Sequence, residues 1–106
     1  MIDEVCEVII TAPETDWLAE FTRRLIDDRL AASGHITPIR SIYRWQGAVY
    51  DKQEARVALH TRRRLVPCII DRANREHPYE VPYVAATAFD GNPAYVKWVL
   101  DETTAP

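Results

Sequence analysis

The sequence predicts an α+β domain of the ferredoxin-like class, one antiparallel sheet built in the order β-α-β-β-α-β with an additional C-terminal helix. Three observations carry this. Segments of strand and helix periodicity alternate in that order along the chain. Two of the strands are apolar on both faces, although two helices cover only one face of such a sheet. The central hairpin is longer than a domain of this size can back with its own core. The last two observations also predict an oligomer.

The elements follow in order. Residues 4–11 read as a strand, because Val8, Ile9 and Ile10 are consecutive and β-branched. Ala12-Pro13 breaks it, and residues 15–31 read as a helix. There Trp17, Leu18, Phe21, Leu25, Ile26 and Leu30 recur at helical spacing, and Glu20, Arg23, Arg24, Asp27 and Asp28 face away. Thr15 or Asp16 is the expected cap at its start and Gly34 the expected stop. Residues 35–46 form the first hairpin arm, with Pro38 at a bend or an edge, and Gln46-Gly47 supplies the turn. In the second arm, 48–60, Val49, Ala55, Val57 and Leu59 share one face, and Tyr50, Lys52, Glu54, Arg56 and His60 the other.

A second helix is expected over 64–76, with Leu65, Val66, Ile69, Ile70 and Ala73 as its buried stripe and Pro67 held in its first turn. His77-Pro78 ends it. Residues 81–89 read as a strand, Gly91-Asn92-Pro93 as turn, cap and first-turn proline, and 93–102 as the last helix. Each hairpin arm, about a dozen residues long, spans roughly 40 Å at ~3.3 Å per residue. A domain of this size has a diameter of roughly 33 Å. Unless a bulge near Pro38 folds the hairpin back, Tyr43 and Trp45 near its tip are expected to need a neighbouring subunit.

Composition bounds the rest. The 106 residues (12.2 kDa) suit a single domain over 1–106, with 47% hydrophobic and 27% charged residues. Net charge is −3, and an acidic balance excludes nucleic acid as the main partner. No apolar run approaches the ~20 residues of a membrane helix. The acidic N-terminus lacks signal-peptide character, and Cys6 and Cys68 share no redox or metal spacing, so the expected compartment is cytoplasmic with reduced thiols.

The candidate ligating side chains are His35, His60, His77, Cys6 and Cys68, none of them in a close-spaced repeat, so any metal site must be assembled by the fold. His77 and Glu80, three residues apart in a proline-framed loop, can hold a divalent ion together; the alternative is that His77 ends its helix and fixes the loop through a backbone carbonyl. His60 is a further metal candidate or a histidine at a subunit boundary, and His35 reads as a loop residue. Cys6 reads as a buried small hydrophobe, and Cys68 lies in the first turns of a helix. Arg62 and Arg63, with Arg64, oppose the dipole of the second helix, and are matched either by a small anionic ligand or by carboxylates. Glu80, Tyr79 and His77 offer acid–base groups, but no nucleophile–base set or phosphate-cradling loop accompanies them, so no enzyme is expected.

Several segments together resemble one family, the CutA divalent-cation tolerance proteins. They are Thr11-Ala12-Pro13, Asp28-Arg29-Leu30-Ala31-Ala32, Ser41-Ile42-Tyr43-Arg44-Trp45-Gln46-Gly47, His77-Pro78-Tyr79-Glu80-Val81-Pro82, and Gly91-Asn92-Pro93-Ala94-Tyr95 with Trp98. The resemblance covers nearly the whole chain in order. It implies a homotrimer with interlocked hairpins, a role in copper and other divalent-metal tolerance, and contacts at the subunit clefts from Tyr43, Arg44, Trp45, Tyr79 and Trp98. The architecture is also similar to PII signalling proteins, trimers that bind small effectors between subunits, which implies an anionic ligand and a protein partner as the alternative, or a structural scaffold without ligand. Two positions depart from the family. Ser33 stands where many bacterial members carry a cysteine considered a copper ligand, and His60 precedes Thr61 where a lysine is frequent.

Overall fold

In the computed structural model, which describes residues 4–105, alternation and helical periodicity resolve into eight elements. They are β1 (Val5–Ala12), α1 (Thr15–Asp27), β2 (Ser33–Trp45), β3 (Ala48–Arg62), a 3-10 turn (Arg63–Leu65), α2 (Val66–Glu76), β4 (Val84–Ala88) and α3 (Pro93–Glu102). The strands form one antiparallel sheet in the order β2-β3-β1-β4, the ferredoxin-like arrangement. Cys6, Val8 and Ile10 of β1 and Ala55, Val57 and Leu59 of β3 meet Leu18, Phe21 and Leu25 of α1 and Ile69 and Ala73 of α2 in the main core. These are the residues that the period-2 and period-3.6 patterns place inside.

The end of α1 departs from expectation. Gly34 does not stop it; the helix closes at Asp28, and Arg29 takes the left-handed conformation at φ 62°. The Leu30 amide then donates to the Leu25 carbonyl (2.9 Å) and the Arg29 amide to that of Ile26 (3.0 Å), a Schellman closure without glycine. The strain of a non-glycine residue there is offset by burial of Leu30 and by the Arg29–Glu102 ion pair at 2.6 Å. Gly34 instead lies in β2, where a Cβ would meet Thr22 Cγ2 at 2.5 Å, so it lets α1 approach the sheet. Nor does Thr15 or Asp16 cap α1: Glu14 occupies that position without a side-chain bond, and Asp16 stands in the first turn, where its charge suits the helix dipole.

The hairpin runs straight. Every residue of β2 from Ser33 to Trp45 pairs in one register with β3, through Pro38 opposite Ala55, so no bulge folds it back. Pro38 is tolerated because β2 is an edge strand. Gln46 (φ 48°) and Gly47 (φ 82°) make the tight two-residue turn that matches strand twist. The molecule consequently measures 45 × 26 × 25 Å. Strand β4 is shorter than the expected 81–89: its pairing with β1 stops at Val84 opposite Ile10, and Pro82, two residues earlier, has no amide to donate.

One of the two reasons for expecting an oligomer needs correction. The second sheet face is covered at one end by the chain itself: Val99 of α3 packs with Val5 and Ala32, backed by Phe89, Tyr95, Val96 and Leu100. The rest of that face, toward the hairpin, remains open.

Helices α1 and α2 are joined by charge as well as by core. Glu76 accepts from Arg72 (2.7 Å) and Arg24 (2.9 Å), and Arg72 also reaches Asp28 (2.7 Å). The Arg72 hydrogen bond, then that of Arg24, holds the Glu76 carboxyl below its ordinary value. A lowered folded value makes this contribution present above about pH 4.5 and lost as pH falls through the folded value. Glu76→Gln is therefore expected to cost about 1 kcal/mol at pH 7 and to flatten the acid limb of stability. Urea unfolding at several pH values checks this; an unchanged acid limb contradicts it.

Candidate functional site

The outward set of β3 and the loop after α2 together build a cavity on the open sheet face. Alternation sends Tyr50, Lys52, Glu54 and Arg56 to that face, opposite Tyr43, Ser41, Ile39 and Thr37 of β2 in register. The loop of residues 77–83 closes over them and leaves a cavity of about 790 Å³. Ile9 and Thr11 of β1 line its floor, and Tyr43, Trp45, Tyr79, Glu80 and Tyr83 its walls. Tyr43 and Tyr50 stack at 5.6 Å with an 18° tilt, and the Lys52 ammonium lies 5.1 Å from the Tyr50 ring centre. Tyr43 and Trp45 are thus half-buried by turning to the cavity face. The side chains left bare on the hairpin are Ile42 (64% exposed) and Val49 (61%), on the opposite face.

His77 is what holds the loop in place. It follows α2 in extended conformation (ψ 140°), because Pro78 disfavours a helical residue before it. The ring is buried against Trp17, centroids 5.1 Å apart. Its Nε2–H donates to the Thr11 carbonyl at 2.7 Å, and Nδ1 accepts from the Tyr79 amide at 2.9 Å. Both nitrogens are therefore used within the chain, in the carbonyl-bonded, loop-fixing arrangement. Glu80 is exposed at the cavity rim.

The Tyr79 side chain points from that loop to the sheet, where its hydroxyl donates to Glu54 Oε2 at 2.5 Å. Glu54 is only 7% exposed. Burial first, then the Glu54 bond and the neighbouring Tyr43, push the Tyr79 phenol far above its ordinary value. The phenol is thus a permanent donor at any physiological pH.

His60 sits elsewhere, beneath α3. A carboxylate only accepts, so Nε2–H is the donor to Glu7 Oε2 at 2.9 Å, and Nδ1 accepts from the Tyr95 hydroxyl at 2.5 Å. Ser33 Oγ lies 2.9 Å from the same hydroxyl. The structure therefore separates His60 from His77 and Glu80. His35 is a strand residue and not a loop residue, exposed opposite Ala58, its ring 5.6 Å from that of His60. Among the described residues, no three His, Cys, Asp or Glu side chains come together to hold an ion. Cys6 is buried in the core and Cys68 exposed near the start of α2.

Arg62 and Arg64 of the arginine run hold the C-terminal segment, and Arg63 holds the residue before β1. Arg62 bonds Thr103 Oγ1 and the Leu100 carbonyl, Arg63 bonds Glu4 (3.2 Å), and Arg64 bonds the Ala105 carbonyl (3.1 Å). Own-chain acceptors thus meet these cations. Arg44 lies near the hairpin tip, exposed, and Trp98 is 42% exposed on α3 beside Tyr95. Sequence reasoning missed Glu54, Glu7, Tyr95 and Arg56. The alternation of β3 already put Glu54 and Arg56 on one face, but their burial comes from a loop some 25 residues away, from Glu54 to Tyr79.

Comparison with known proteins gives a consistent result. The family model described as CutA1 divalent ion tolerance protein matches residues 6–102. The divalent-cation tolerance protein CutA of Thermus thermophilus is 36% identical over 98 residues, 91% of this chain and 95% of that one. Protein CutA of Homo sapiens is 35% identical over 101 residues, covering 93% of this chain but 56% of the human one. The crystal structure of CutA1 from Oryza sativa superposes with a TM-score of 0.92 at 28% identity, over 97% of this chain and 96% of that chain. Compartments differ among relatives: periplasmic for an Archaeoglobus fulgidus protein, chloroplastic for that of Arabidopsis thaliana. No helix among the described residues is long and apolar enough to cross a membrane.

Proposed function

The chain belongs to the CutA1 divalent ion tolerance protein family, and from that premise we propose that it acts in the cytoplasm as a homotrimer that takes up copper or a similar divalent ion weakly at the clefts between subunits. It is a tolerance protein and not an enzyme. The observation that carries the trimer is the straight hairpin, which extends a body 26 and 25 Å across to 45 Å and leaves Ile42 and Val49 bare at its end. Apolar surface at the end of an unsupported two-stranded arm is stable when another subunit receives it.

The donor chemistry favours a weak and shared metal site. His60 and His77 each have both ring nitrogens engaged within the chain. Among the described residues, Glu80 alone of the three candidates has no hydrogen-bond partner, and it is exposed at the cavity rim. A divalent ion held by Glu80 therefore needs ligands from a second subunit, or must displace a hydrogen bond of His77. Light scattering in dilute buffer is expected to give three times the 12.2 kDa chain mass. Calorimetric titration with copper is expected to give a weak, saturable heat that Glu80→Ala removes. A stable monomer overturns the trimer, and no copper heat, or one unchanged in Glu80→Ala and His77→Ala, overturns the metal reading.

A further inference from the structure

We infer that Tyr95 is a site of reversible one-electron oxidation, with His60 taking its proton and Trp98 passing its electron to a soluble one-electron oxidant. The inference rests on contacts made within one chain, so it does not depend on what a neighbouring subunit covers, and it needs no bound metal. Tyr95 lies in α3, and its hydroxyl donates to His60 Nδ1 at 2.5 Å. The His60 ring is buried and donates its Nε2–H to Glu7 Oε2 at 2.9 Å. Ser33, directly opposite His60 in the β2–β3 register, places its Oγ 2.9 Å from the phenol oxygen. Since the Tyr95 proton is directed at His60, Ser33 is the donor of that bond. Phenol, imidazole and carboxylate thus stand in line, and a second donor holds the phenol oxygen.

Removing an electron from a phenol weakens its O–H bond, so the oxidation proceeds where the proton has a base to go to. Here one electron leaves the Tyr95 ring, the O–H bond breaks, and the proton bonds to His60 Nδ1 along the hydrogen bond already made. The products are a neutral phenoxyl radical and an imidazolium that is hydrogen-bonded to the Glu7 carboxylate, so the new charge arises beside its counter-ion. The oxidant is reduced by one electron, and a reductant that returns the electron draws the proton back to Tyr95. The Trp98 indole, 5.6 Å from the Tyr95 ring, is the next oxidisable group along α3. An electron, unlike a ligand, crosses such a gap without open surface. Phe89, with its ring centre 4.2 Å from that of His60 and 6.0 Å from that of Tyr95, packs against both. Tyr79 also donates at 2.5 Å, to Glu54, but a carboxylate is a weaker base than an imidazole, and among the described residues no tryptophan ring stacks on Tyr79.

Flash photolysis of the intact, chelator-treated protein with tris(bipyridine)ruthenium and a sacrificial acceptor supplies the oxidant. Transient absorption and freeze-quench electron paramagnetic resonance read the radical. The expected product is a tyrosyl radical that is absent from Tyr95→Phe and kept in Tyr79→Phe. His60→Gln should slow its formation by about a hundredfold, the low end for a positioned proton acceptor, and let an indolyl radical accumulate in its place. Trp98→Phe should slow it without moving it, and deuterated water should slow it in the parent. Circular dichroism of each variant establishes that it folds; if His60→Gln does not, the solvent isotope effect carries the proton step. A tyrosyl radical that persists in Tyr95→Phe, or one formed at the parent rate in His60→Gln, in Trp98→Phe or in deuterated water, overturns the proposal, as does oxidation that stops at tryptophan in the parent. None of these outcomes alters the copper heat, so the metal reading is tested separately.

Discussion

Replacing His77 by alanine is expected to lower the unfolding free energy by about 3 kcal/mol at neutral pH, since two backbone groups lose their partner at roughly 1–1.5 kcal/mol each and ring packing is lost as well. The orphaned groups are the Thr11 carbonyl and the Tyr79 amide, which the imidazole bridges at 2.7 and 2.9 Å. Trp17, 5.1 Å from the ring, supplies a fluorescence signal for the transition. The loss should be equal with and without a chelator, because it arises from hydrogen bonds and packing within one chain. A change below about 1 kcal/mol, or one that vanishes in chelator, contradicts this account.

Tyr79→Phe is expected to cost about 2–3 kcal/mol, because it leaves a buried carboxylate without its donor. Glu54, 7% exposed, has the Tyr79 hydroxyl as its hydrogen-bond partner, and a phenyl ring preserves the packing while removing that bond. The variant also has a distinct pH signature. Burial and the Glu54 bond raise the folded phenol above its ordinary value of 10.0. The unfolded chain then binds fewer protons than the folded one as pH rises past that point, so stability falls. The contribution is fully present below about pH 10 and lost above it. Urea unfolding between about pH 8 and 11 should show a falling limb in the parent that is reduced in Tyr79→Phe. Parallel limbs in the two proteins would exclude the link.

Much of the fold was legible in the sequence because its signals are local. The stripe through Leu18, Phe21 and Leu25, the alternation through Ala55, Val57 and Leu59, and Gln46-Gly47 between two arms each report on a few neighbouring residues. Pro67 in the first turn of α2 and Pro93 at the start of α3 are equally local. What failed to show is the end of α1, where a left-handed arginine is paid for by Leu30 and Glu102, both identified only once the chain has folded. The covering of the second sheet face by α3 was hidden for a related reason. Its apolar side is readable, but the surface that receives it is not.

The sequence by itself determined the order of the elements, the inward face of each, the length of the hairpin and the motifs that mark the family. Tertiary structure alone decided which polar side chains are buried and with whom. His77 meets Thr11 across 66 residues, His60 meets Glu7 across 53, and Tyr79 meets Glu54 across 25. Hydrophobic periodicity is written at the spacing of a turn or a pleat, so it can be read along the chain. A buried hydrogen bond depends on two groups brought within about 3 Å by the packing of separate elements, and no local pattern records it.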